Sequence, residues 1–183
     1  MSGVSGQGPN NFRFADGYSE KIAAGANTWA WIEFELHWMI WELSEVNPSV
    51  GLCLTAQMFT FDAKMNALLA LLTLREAPES FVKKVHAFME STRGAQEARN
   101  RLVHDVWVMD NRDASRMGRL KMSARRKLDF SVQSYAISEI DPEVVMLERS
   151  RQTSTALRRE LVAMLPTLRK IPLEAPHPLE VVR

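Results

Sequence analysis

The chain has 183 residues, 46% hydrophobic and 25% charged, which suits one domain with a real core and is cramped for two. Its formal net charge of +1 argues against a general nucleic-acid coat, and a single cysteine excludes an internal disulfide or a cysteine-rich zinc cage. Met1 to Pro9 is Gly/Ser-rich without the basic start and apolar run of a secretory signal, and no uncharged run reaches membrane-spanning length, so a soluble cytoplasmic protein is expected.

Residues 1–17 are polar and glycine-punctuated and read as an N-terminal tail, with Phe12 and Phe14 able to dock on the body. From Ser19 the spacing of Ile22, Trp29, Ile32, Leu36, Met39, Ile40 and Leu43 predicts a long first helix, stopped by Asn47-Pro48. Trp29, Trp31, Trp38 and Trp41 occupy more than one side of it, more apolar surface than one core stripe needs. That excess fits either a central helix of a small bundle or burial against a second chain. A second helical region runs from Leu52 or Thr60 to Leu74, with Cys53 expected as a buried small residue between Leu52 and Leu54. Pro78 suits the first turn of a third helix. There Phe81, Val85, Phe88, Thr92, Ala95, Arg99, Leu102 and Val106 follow steps of four and three, one inward stripe. Asn111 to Ser115 reads as a turn, and Met117 to Ser123 with Leu128 to Ile137 as a β-hairpin joined through Ala124-Arg125-Arg126-Lys127. Asp141-Pro142-Glu143 opens a last helix ending near Pro166 or Leu168, and residues 171–183 form a proline-dotted tail. The expected fold is thus mainly α, four or five helices over 18–170 with a small hairpin insertion near 116–137.

Arg99 stands in an apolar seam, where a permanent charge is costly unless paired, hydrogen-bonded or opened to a cleft. It belongs to the hexapeptide Arg99-Asn100-Arg101-Leu102-Val103-His104, a guanidinium, an amide and an imidazole within about two helical turns. Histidine titrates near neutral pH and suits proton transfer, while the arginine fork matches phosphate oxygens and keeps its charge. Arg99 and His104 are five positions apart, about 140° around an ideal helix. They meet only if the helix unwinds near Val103, if the arginine wraps round, or if two subunits each supply one. The structural alternative pairs Arg99 with a buried acid such as Glu33 or Glu35 and leaves His104 to cap the helix end. Among the other histidines, His37 is expected as a packed aromatic; His86 shares a face with His104 but lies about 27 Å away along the helix. Protease, kinase and hydrolase signatures are missing.

Seven basic residues fall between Arg112 and Lys127 against one acid, Asp113, which predicts a basic flank. Arg101, Arg116, Arg119, Lys121, Arg125, Arg126 and Lys127 are the candidate phosphate-backbone contacts. The common alternative for such a run is a solvated charged face.

An arginine with an adjacent polar residue, followed four to six positions later by histidine, resembles the mark of the HEPN superfamily, helical domains common in prokaryotic toxins and defence systems. Here it reads Arg99, Asn100, three residues, His104. The order of elements is also similar: an aromatic-rich helix, a helix containing Phe61-Asp62-Ala63-Lys64, the motif closing helix three, and a last helix. The resemblance spans about residues 19–168. It implies a metal-independent endoribonuclease without cofactor, a homodimer with the two motifs facing each other, and an antitoxin as a further partner. Arg99 and His104 would be catalytic, with Asn100 orienting the imidazole or the phosphate. In some HEPN toxins a tyrosine two residues past the histidine is modified by a partner enzyme; that position is Val106 here. The other reading is a non-catalytic HEPN-like module for dimerisation, nucleotide binding or partner binding.

Overall fold

A computed structural model describes residues 14–123 and 129–171. The tail expected at residues 1–17 falls mostly outside the described residues, as do the hairpin connection with Arg125, Arg126 and Lys127 and the tail from 172 onward. Five α-helices are described: α1 (Tyr18–Leu43), α2 (Pro48–Thr55), α3 (Phe61–Leu74), α4 (Glu79–His104) and α5 (Asp141–Met164). Between α4 and α5 lie β1 (Val106–Met109), β2 (Met117–Ser123) and β3 (Asp129–Tyr135), an antiparallel sheet in the order β1-β2-β3. The fold is mainly helical with a small β element, as the hydrophobic pattern predicts.

Helix α1 is the hub, packing on α5, α3 and α4, while α4 also packs on α5. Ile32, Leu36, Met39 and Leu43 meet Met65, Leu68 and Leu72 of α3, Phe81, Val85 and Phe88 of α4, and Leu147 and Leu161 of α5 in one core. Each such side chain contributes about 1.5–3 kcal/mol on burial. The stripe predicted for α4 is buried at Phe81, Val85, Phe88, Thr92, Ala95 and Leu102. It fails at its end, because Val106 has left the helix for β1 and is exposed.

Of the two starts expected for the helix ending at Leu74, the structure has the one at Thr60, and the residues around Leu52 form a separate helix, α2. Helix α1 already ends at Leu43, capped by Ser44, and Asn47 starts α2, its side-chain oxygen accepting from the Val50 N–H, while Thr60 caps α3 through Ala63 in the same way. Helix α2 docks through Gly51 and Thr55 alone, the glycine lying against the Trp41 ring and Thr55 accepting from Trp41 Nε1 at 3.2 Å. Leu52, Cys53 and Leu54 therefore face outward, and Cys53 is exposed rather than core filler. Apolar neighbours in an eight-residue helix do not say which side docks.

The hairpin gains β1 as a third strand. Trp107 pairs with Arg119 and Val106 with Leu120, while Met122 pairs with Phe130 across β2 and β3. The buried face is pinned to the bundle: Tyr18 Oη donates to the Tyr135 carbonyl at 2.6 Å, and Trp107 Nε1 to the Leu102 carbonyl at 3.0 Å.

Candidate active site at the end of helix α4

Helix α4 stays helical through His104, and Asp105 then turns to extended geometry, φ −70° and ψ 146°. The helix does not unwind near Val103, so the 140° offset is crossed by the arginine itself. Arg99 Nη1 lies 2.8 Å from His104 Nε2 and 3.0 Å from Asn100 Oδ1. One nitrogen thus gives one proton to the imidazole and the other to the amide oxygen. A guanidinium only donates, so Nε2 is the acceptor in this contact.

His104 and Asn100 are exposed, whereas Arg99 is half-buried and its Nε is shielded from solvent without a partner. The stem of Arg99 is therefore held by the bundle while its tip reaches the surface. Nη2 makes no hydrogen bond among the described residues and is open to a ligand oxygen. Proton acceptor, cation and amide share one surface site, which is the equipment for moving a proton beside a phosphate.

The buried-acid alternative for Arg99 is overturned. Glu33 accepts from Lys64 at 2.7 Å, and Glu35 accepts from Thr155 at 3.0 Å and Arg158 at 3.3 Å. Both acids serve cations on other helices. His37 is half-buried, its ring stacked 6.0 Å from Trp41, and burial followed by the Lys64 charge holds its pKa below the ordinary value. That matches the packed aromatic expected there.

The basic run behaves differently from its sequence. Arg119 is 4% exposed; both Glu143 oxygens accept from it at 3.0 and 3.3 Å, and its guanidinium lies 4.7 Å from the Trp107 ring centre and 4.5 Å from that of Tyr135. It has no free face for a phosphate, which corrects its expected role. Arg116 is bound to Glu139 at 2.8 Å and to Ser134, and Arg101 reaches Glu143 at 3.4 Å and Glu97 at 3.8 Å. Lys121 alone of the four described strand and helix candidates is exposed without an ion pair among the described residues. Acids from the start of α5 and the turn before it come back to meet these arginines, which a count along the run does not register.

Glu143 was legible only as an acid near a helix start; its bridge between Arg101 and Arg119 has no signal in local sequence. Among the described residues no group of three or more His, Cys, Asp or Glu is placed to hold a metal, and no helix is long and apolar enough to cross a membrane. The chain matches no family model, no curated protein and no solved structure.

Proposed function

We propose that this chain is a HEPN-type endoribonuclease that cuts RNA without a metal, acting as a homodimer in which two α4 ends share one substrate. The observation that carries the reading is the contact of Arg99 Nη1 with both His104 Nε2 and Asn100 Oδ1 at the exposed helix end. On substrate binding the phosphate takes the place of the imidazole on the guanidinium. His104 Nε2, freed, accepts the proton of the 2′-hydroxyl as that oxygen attacks the adjacent phosphorus. The bond from phosphorus to the 5′-oxygen breaks, leaving a 2′,3′-cyclic phosphate. The departing 5′-oxygen takes a proton from the His104 ring of the second protomer, which enters the step as the imidazolium and leaves it neutral. Arg99 meets the charge that builds on the non-bridging oxygens, and Asn100 holds the fork in place. A toxin or defence role with an antitoxin partner, in the cytoplasm, belongs to the same reading.

A non-catalytic dimerisation or binding module is favoured by a different observation, the exposed aromatics Trp31 and Phe34 on α1, 47% and 41% exposed with ring centres 5.2 Å apart. One assay separates the two. Labelled single-stranded RNA is incubated in chelator with the parent, His104→Ala and Arg99→Ala. The enzyme reading expects a loss of about 10²–10⁴-fold for the histidine variant and at least about 10²-fold for the arginine variant. No cutting by the parent, or equal cutting by all three, refutes it.

A further inference from the structure

We propose that the outward face of the sheet is a platform on which single-stranded RNA lays its bases, next to the proposed cutting site and resting on the ribonuclease reading. Strand alternation separates two unlike faces. Trp107, Met117 and Arg119 lie on the face turned to the helices and are buried. Val106, Val132 and Phe130 lie on the other, 47%, 56% and 67% exposed, and no described element covers them. A solvent-facing side of an antiparallel sheet is ordinarily polar, so an apolar one calls for an occupant.

Gly118 sits at the middle of this face. A Cβ there would come within 2.7 Å of Val132 Cγ1 and 2.9 Å of Val108 Cγ2, so the two valines close over the glycine and form a level surface. Beside them opens a hollow of about 350 Å³, its floor these three residues and its rim Asp110, Arg112 and Ser134. The floor offers a flat apolar contact. The rim offers a cation without an ion pair among the described residues, Arg112, and an acceptor, Asp110, whose carboxyl is held below the ordinary range by the Ser134 hydroxyl and the Arg112 N–H.

Position in the fold selects the occupant. Val106 is two residues beyond His104, at most about 7 Å between their Cα atoms. β1 begins at Val106, whose register partner Leu120 pairs in turn with Val132, so the apolar face starts at this junction. A strand whose phosphate sits at His104 thus has the apolar face under its neighbouring nucleotides. Unpaired RNA supplies flat base faces for Phe130 and the valines, amino groups for Asp110 and phosphates for Arg112, a combination that sequence-tolerant single-strand binders use.

The test measures affinity for a labelled single-stranded oligoribonucleotide in chelator, in a His104→Ala background so that the probe stays intact. Adding Phe130→Ala should weaken binding about 5- to 150-fold, the range for losing one base stack. Phe130→Trp should stay within about threefold, since any aromatic can stack. Arg112→Ala should lower the slope of log affinity against log salt by about one. Phe130 is mostly exposed, so an unchanged melting temperature is expected to accompany the loss. Equal binding with and without Phe130→Ala overturns the platform, as does a change from dimer to monomer on that substitution, which would make the face a contact between copies. If the parent cuts RNA yet ignores Phe130, the platform alone fails; if the chain neither binds nor cuts RNA, both readings fail.

Discussion

Removing the Glu143 carboxylate tests whether one buried ion pair fastens the sheet to the helices. Arg119, 4% exposed, places its guanidinium between the rings of Trp107 and Tyr135 and gives two hydrogen bonds to Glu143, whose side chain is 16% exposed. Glu143→Ala leaves that cation between two rings with no anion. The ring contacts exist before and after the change, so they do not offset it, and an abandoned buried charge costs about 3–5 kcal/mol. Arg101 also loses a partner, but its side chain is 47% exposed and the pair contributes little. In a chain of this size each kcal/mol lowers the melting temperature about 2–4 °C, so a fall of about 6–20 °C is expected. Arg119→Met removes the cation together with its demand for an anion and should cost no more than about 1–2 kcal/mol. The double variant Arg119→Met/Glu143→Ala should then lie within about 1 kcal/mol of Arg119→Met alone, because only the exposed contact with Arg101 is left for the acid to hold. Urea unfolding followed by circular dichroism measures all four proteins. Additive single effects, or a Glu143→Ala loss below about 1 kcal/mol, would refute the reasoning.

Two glycines in helices should respond to alanine with opposite signs. At Gly51 the new methyl would lie 2.4–2.7 Å from ring atoms of Trp41, so Gly51→Ala should lose about 1–3 kcal/mol and shift the tryptophan emission. At Gly94 the nearest neighbour is the flexible tip of Met146 at 3.2 Å, so Gly94→Ala in mid-α4 should gain up to about 1 kcal/mol in the same unfolding assay. Glu139 has a lowered pKa, held first by the Ala136 N–H and then by the Arg116 charge. A carboxylate depressed in the folded state contributes stability above its unfolded pKa and loses it as pH falls through the folded value. Glu139→Gln should therefore melt below the parent near pH 7 and converge with it in acid, below the ordinary glutamate range, measured as melting temperature against pH.

The helices were legible because their cores are periodic over many turns. The α4 stripe repeats often enough that Phe81, Val85, Phe88 and Leu102 could be placed inward from spacing alone. Short elements gave less. Helix α2 has eight residues and β1 four, too few for a period to show, and β1 follows the helix after a single residue, so Val106 looked like a continuation of the stripe. Exposure within α2 depended on Trp41 reaching over Gly51, a contact between elements. The motif was visible as residue types, but its geometry rested on one long side chain turning back toward His104, which no helical wheel contains. The arginines in and just before β2 were misjudged for a related reason. Arg116 and Arg119 find Glu139 and Glu143 across 23 and 24 residues of chain, so a window that counts charge locally sees a basic flank where the fold makes ion pairs.

The third strand gives the Arg99–His104 contact its support. His104 ends α4 and Val106 begins β1, so the histidine occupies a junction with one intervening residue, and a side chain there is only as well placed as both elements on either side. On the helix side, Leu102 is fully buried and Arg99 has its stem in the bundle. On the strand side, Trp107 ties itself to the Leu102 carbonyl, which the end of α4 would otherwise leave open, and Tyr18 holds β3 from α1. Arg119 and Glu143 then join the sheet to the start of α5, and Glu143 reaches on to Arg101, two residues from Arg99. The junction is thereby connected to α1, α4 and α5 at once. Such a frame can hold an exposed imidazole within hydrogen-bond distance of a cation without burying either tip, which is the condition a surface proton-transfer site has to meet.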